Sequence, residues 1–316
     1  MKHYDSLRRL IIPASAVLLF GSMLLTGCKK DDDNPSSASN TRETSATDDA
    51  VLSISGAMGD DNGGASNTVG DMIALASPDG VAGLASKLAK ADGSEGTMTV
   101  DTTYDPTSGW WSMTVTKERG SSSGLYYAKF ARSYRYQFLK NNVPQRYWRV
   151  AGASGTDTAT VIKFVIVSGT GEFHTPHIHQ VLKSLTGSFT SVNTNTDTIT
   201  VNSDAPYVRS GVDTLTLANS MRTLDHAVTM TFTGIKGPRL RPNSTILTRR
   251  TLTTHTTGTV AGTYTAKVTV QRGESYNEKT IDRQFTITLS GGRGSIGVNG
   301  EGRRFTCDLS NGDAQF

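Results

Sequence analysis

The feature that most constrains the fold is strict alternation of apolar and polar residues over long stretches. In TVAGTYTAKVTV, Val260, Tyr264, Ala266, Val268 and Val270 fall on one side of an extended chain, and Thr259, Thr263, Thr265, Lys267 and Thr269 on the other. KTIDRQFTITL repeats the pattern, with Ile281, Phe285, Ile287 and Leu289 opposed to Thr280, Asp282, Gln284, Thr286 and Thr288; the glycine-bearing QRGESYN between the two predicts a hairpin. VTMTFTG turns Val228, Met230 and Phe232 inward, and WWSMTVT, LYYAKFARSYRYQFL, TATVIKFVIVSG, LTGSFTSV and DTITVN continue the theme. One dry and one wet face belong to antiparallel sheets. The expected fold is mostly β: a long-stranded antiparallel meander over 95–316, barrel-like or a large open sheet, with a short N-terminal helical segment. A curled form is preferred because it hides sheet edges. The outward threonines, lysines and aspartates are wrong for a lipid-facing barrel.

Residues 51–94 have a different texture, rich in Ala and Leu at helical spacing. Met72, Ile73, Leu75 and Ala76 share one helical face, and Val81, Leu84 and Leu88 another, with Pro78-Asp79-Gly80 between them. Residues 28–50 are dominated by Ser, Thr, Asn, Asp and Ala, a composition that buries too little to repay ordering and predicts a tether.

Residues 1–27 read as a signal peptide: Lys2, Arg8 and Arg9 precede an apolar run from Leu10 to Leu25 that Pro13 and Gly21 interrupt. The run is shorter than the roughly 20 residues a spanning helix needs. Leu25-Thr26-Gly27-Cys28 resembles the bacterial lipobox, in which the cysteine is acylated and becomes the new N-terminus. The resemblance implies lipidation of Cys28, palmitate among the acyl chains, and firm anchoring in a membrane. Lys29, in place of an inner-membrane-retaining aspartate, implies the outer membrane. Lys29-Lys30-Asp31-Asp32-Asp33 resembles the export signal of surface-exposed lipoproteins and implies a position facing the cell exterior. Taken together, the chain is similar to β-rich lipoproteins of the surface-exported outer-membrane type, and the resemblance rests on the first forty residues.

The formal net charge is +4, of which the signal segment carries two, since Lys2, Arg8 and Arg9 stand against Asp5. No lysine- or arginine-rich block suggests a nucleic-acid footprint, so no nucleic-acid partner is expected. The chain has two cysteines. With Cys28 acylated, Cys307 is alone, and its alternation with Phe305 and Leu309 predicts a buried apolar role.

Three sets of residues carry candidate chemistry. GEFHTPHIHQ holds His174, His177 and His179; on a strand His177 and His179 lie about 6–7 Å apart on one side, and with His174 they form a candidate zinc or copper site, with Glu172 as an oxygen donor. The alternative is a solvent-facing hairpin without metal, and no other cofactor is expected. The series YYAKFARSYRYQFLKNNVPQRYWRV places Tyr126, Phe130, Tyr134, Tyr136 and Phe138 on one face, interrupted by Arg132, with Trp148 on the returning strand. Tyr126, Phe130, Tyr134, Tyr136 and Trp148 are either a recognition surface or ordinary core. Asp-Thr-apolar or Asp-Thr-Thr triplets at Thr102, Thr158, Thr198 and Thr214 resemble a bacterial O-glycosylation motif. No P-loop, GxSxG elbow or dinucleotide fingerprint is present.

The leading expectation is a lipoprotein whose β region is a non-enzymatic binding or structural module for an unknown protein, glycan or apolar ligand. One alternative is a metal-binding protein or metal-dependent hydrolase centred on the three histidines. The other is a carrier holding a lipid or apolar molecule inside a curled meander roofed by the helices.

Overall fold

The computed structural model describes residues 45–77, 96–125, 127–152, 155–174, 178–217, 220–240, 252–272 and 275–316. Cys28, the signal segment and the predicted second helix over Val81, Leu84 and Leu88 lie outside them. Among the described residues two helices come first, α1 (Ala46–Met58) and α2 (Ala65–Leu75), followed by strands and a 3-10 turn at Thr253–His255. The leading strands are β1 (Gly96–Asp105), β2 (Trp110–Gly120), β3 (Tyr127–Lys140) and the short β4 (Val143–Gln145), β5 (Arg149–Gly152) and β6 (Gly155–Thr158). Then come β7 (Val161–His174), β8 (Ile178–Val192), β9 (Thr198–Leu217), β10 (Ser220–Pro238), β11 (Thr257–Arg272) and β12 (Ser275–Ser290). The chain ends in β13 (Arg293–Val298), β14 (Arg304–Asp308) and β15 (Ala314–Gln315).

Apart from a separate β5–β6 ribbon, the strands form one 13-stranded sheet in the order β1-β2-β3-β7-β8-β9-β10-β11-β12-β13-β14-β15, with β4 paired to β3. Every ladder is antiparallel. This is the expected meander. Neighbours in sequence pair in space because two-residue turns suffice: Asn141-Asn142 and Gly291-Gly292 take positive φ throughout, as tight hairpins with right-handed twist require.

The alternation sets the faces as expected. Val228, Met230, Phe232, Val260, Tyr264, Val268, Ile281, Phe285, Ile287 and Leu289 are all buried, and the intervening threonines and lysines face solvent or its margin. Among the described residues no ladder joins β1 to β15, so the sheet is open rather than a closed barrel.

The helices lie against this inner face instead of roofing it. Nearly every residue of α1 and α2 is buried, including Thr47, Asp48, Asp49, Ser53 and Ser55, so neither helix presents a wet side. Their partners span the sheet. The α1–α2 loop receives Arg132 of β3 on its Gly63 carbonyl at 2.7 Å and Arg119 of β2 on Asp61 at 3.3 Å. The same loop donates from the amides of Asp60 and Asp61 to the carbonyls of Leu309 and Ser310, beyond β14, at 2.9 and 2.7 Å. Side chains of β2 and β3 and the segment beyond β14 are therefore all bonded to one loop. Close approach needs glycine where the end of α1 meets the C-terminal strands: a Cβ on Gly59 would stand 2.8 Å from the Gly312 amide nitrogen.

The boundary of the tether requires correction. Residues 45–50 belong to the folded region, because Ser45 and Asp48 form a capping box, with the Ser45 hydroxyl accepting from the Asp48 amide at 3.1 Å and the Asp48 carboxylate from the Ser45 amide at 3.0 Å. Composition hid this helix: its polar residues are buried against partners on distant strands.

Candidate functional site

The β7–β8 hairpin brings two of the three predicted histidines together. His174 and His179 are directly opposed across the ladder, their rings meeting edge-on with centroids 6.2 Å apart. Both are already engaged. His174 Nε2 lies 2.9 Å from the carbonyl of Gly124 in the β2–β3 turn, and its ring packs 5.5 Å from that of Tyr127. His179 Nε2 lies 2.9 Å from Glu172 Oε1, a half-exposed pair at the outer surface. His177 lies outside the described residues. Among the described residues no group of three His, Cys, Asp or Glu side chains is placed to hold a metal.

The aromatic series resolves toward the interior. Phe130, Tyr134, Tyr136 and Trp148 are all at most 5 % exposed. Their burial rules out an outward recognition surface: Phe130, Tyr134 and Tyr136 share the inward register of β3, and Trp148 is buried beyond β4. Tyr134 donates to Asp71 of α2 at 3.3 Å and packs against Phe164; burial and the Asp71 carboxylate push its pKa well up. Arg239 covers the Trp148 ring at 5.5 Å. Tyr126 is outside the described residues. Of the four glycosylation candidates, Thr102 and Thr198 are exposed, whereas Thr158 and Thr214 are half-buried within strands.

The outward-facing motifs give no sign of a dense polar cluster that the described residues form between α1 and the inner face of β8–β12. Asp49 of α1 takes Arg222 of β10 through both carboxylate oxygens, at 2.8 and 3.0 Å, with Lys279 of β12 at 3.6 Å. One turn further along α1, Ser53 donates to Asp213 of β9 at 2.6 Å. Asp213 also accepts from Gln180 of β8 at 2.8 Å and faces His226 Nδ1 at 3.6 Å. Tyr264 of β11 donates to Ser53 Oγ at 3.3 Å and stacks on His226; burial raises its phenol pKa, the Ser53 hydrogen bond opposing and Asp213 and Asp49 adding to the rise. Arg209 of β9 donates to the side-chain amide oxygen of Gln180.

Ser53, Asp213 and His226 are the residue types of a hydrolytic triad, but the order is wrong. The carboxylate sits between serine and imidazole, so the histidine takes no proton from the hydroxyl. All three are at most 3 % exposed, and no substrate reaches them in this arrangement. The cluster instead anchors α1. The signal that could have revealed it is polar residues at inward register: Arg132 between Phe130 and Tyr134, His226 between Leu224 and Val228, and Arg209 and Asp213 flanking Gly211 beyond Tyr207.

Beside α2, an apolar cleft of about 330 Å³ is lined by Met58, Val69, Phe232, Leu252, Leu289 and Leu309 among others. Cys307 is buried with Phe305 and Leu309, and burial pushes its thiol up to about 11. No helix among the described residues is long and apolar enough to cross a membrane. Comparison with protein-family profiles, curated proteins and solved structures finds no match to this chain.

Proposed function

We propose that this chain is an acylated lipoprotein of the outer membrane, displayed toward the cell exterior, whose curled sheet is a non-enzymatic binding or structural module. The observation that carries the reading is Leu25-Thr26-Gly27-Cys28 at the end of a signal-like segment, followed by Lys29-Lys30-Asp31-Asp32-Asp33. Acyl chains on Cys28 hold the protein at the membrane, and residues 29–44 separate the anchor from the capping box at Ser45. A module role is supported by the interior: the inner face of the sheet is occupied by α1 and α2, and Asp213 and Arg222 on that face bond to Ser53 and Asp49 of α1. Helix side chains pack against the inner face where a carried lipid would lie, and the apolar cleft beside α2 has room for little more than one water-sized particle. Thr102 and Thr198, exposed on β1 and β9, are the favoured acceptors for glycosylation.

Expression of wild type and Cys28→Ala in a Gram-negative host, followed by membrane fractionation and protease treatment of intact cells, tests the reading. Wild type is expected in the outer-membrane fraction and degraded on intact cells. Cys28→Ala is expected to leave that fraction. Outer-membrane wild type that intact cells protect from protease would place it on the periplasmic side.

One observation favours a second reading. His174 and His179 are neighbours at the tip of the β7–β8 hairpin beside Glu172, so zinc or copper held by these and His177 remains the alternative. Near-stoichiometric metal in purified protein, lost in His177→Ala/His179→Ala, would establish it.

A further inference from the structure

The inner polar cluster has one end where donors outnumber acceptors. Between the α1–α2 loop and the inner face of β3, β8 and β9 lies a cleft of about 200 Å³ of empty space, lined by Asn62, Arg132, Gln180 and Arg209 and, toward the surface, Lys129 and Glu172. Arg132 and Arg209 are 1 % and 2 % exposed. Arg132 uses Nη1 on the carbonyls of Ala131 and Thr170, at 3.2 and 3.0 Å, and Nη2 on that of Gly63. Arg209 uses Nη2 on Gln180. Among the described residues Arg132 Nε, Arg209 Nε, Arg209 Nη1 and both polar atoms of the Asn62 side chain have no hydrogen-bond partner.

Buried guanidiniums that donate to neutral carbonyls leave most of their charge unanswered, and burying an unpaired charge is expensive. Burial lowers the Arg132 pKa; the Arg209 charge adds to that, while Tyr134, Tyr207 and Asp71 oppose it. Arginine nevertheless stays protonated. Asp213 reaches Arg209 only through the Gln180 amide. Glu172, at the mouth, is turned to His179. The residues that carry the unpartnered donors thus line one small cleft, no carboxylate is bonded to those donors, and the cleft admits little more than one water-sized particle.

From this geometry we infer that the cleft is a binding site for a small inorganic anion of chloride size, held by Arg132 Nε, Arg209 Nε and Nη1 and the Asn62 amide. The ion completes the hydrogen bonding of both arginines, and through them it fastens the α1–α2 loop to β3 and β9. The inference is independent of membrane anchoring and of the histidine pair.

The test is thermal unfolding of the full chain in detergent, titrating sodium chloride into sodium methanesulfonate at constant ionic strength. The expected result is a saturable rise in Tm of about 2–4 °C, absent in Arg209→Met and retained in Lys183→Met, which alters an exposed cation elsewhere on the sheet. Equal Tm in the two salts, or an equal chloride effect in Arg209→Met, overturns the inference. Should Arg209→Met not fold, crystals of the wild-type protein grown in sodium bromide decide it. An anomalous peak in hydrogen-bonding range of Arg209 Nη1 supports the site, and ordered water in that place overturns it.

Discussion

The inner cluster around α1 and the rim of the β7–β8 hairpin use the same residue types with opposite consequences. Inside, Asp49 meets Arg222, and Asp213 meets Ser53, Gln180 and His226, all nearly inaccessible to water. At the rim, Glu172 meets His179 at an equally short 2.9 Å, yet both remain close to half exposed. In a dry surrounding each charge must keep its partner, so removing one is costly. At the surface, water replaces a lost partner and salt screens what remains. In this chain the buried pairs around α1 are therefore costly to lose, while a rim pair such as Glu172–His179 can be lost at little cost.

The largest expected effect breaks the inner pair. Arg222→Ala leaves Asp49 buried, with Lys279 at 3.6 Å as residual compensation, and should cost about 3–5 kcal/mol in urea unfolding. A loss below about 1 kcal/mol would put the pair in the same class as the rim.

The next effect sharpens the comparison through pH. Burial raises the Cys307 thiol from 9.0 to about 11, so between those values the folded state keeps a proton that the unfolded state has lost. The contribution is fully present below pH 9 and falls as pH rises from about 9 to about 11, by on the order of 2 kcal/mol. Stability curves of wild type and Cys307→Ala should converge over that interval; parallel curves would show the thiol reaching solvent.

Smaller still, Tyr264→Phe removes the donor to Ser53 and should lower stability by about 1–2 kcal/mol, read by thermal unfolding. At the bottom of the scale, Glu172→Gln at the rim should change stability by no more than about 0.5 kcal/mol. A loss comparable to that of Arg222→Ala would mean the hairpin is a structural clamp.

The strands and their faces were legible because period-two alternation is a local property. Val260, Tyr264 and Val268 face inward for reasons contained in twelve residues. The hairpin between β11 and β12 was equally local, marked by the glycine of QRGESYN. Helix α1 was not legible: Ala-Thr-Asp-Asp-Ala reads as tether until Arg222 and Lys279, more than 170 positions away, supply partners for Asp49. The anion cleft was hidden for the same reason, since Asn62, Arg132, Gln180 and Arg209 meet only after the meander has wrapped around the helices. The hairpin histidines were visible because they are close in sequence; the pairing of His174 with His179 was not, because it depends on the register of β7 against β8.

The central claim of the functional account is the acylated start of the mature protein. Mass spectrometry of the protein extracted from membranes tests it most directly. The account predicts a chain that begins at Cys28, with an N-terminal peptide heavier by its acyl chains. A mature N-terminus elsewhere, or an unmodified Cys28, would contradict it.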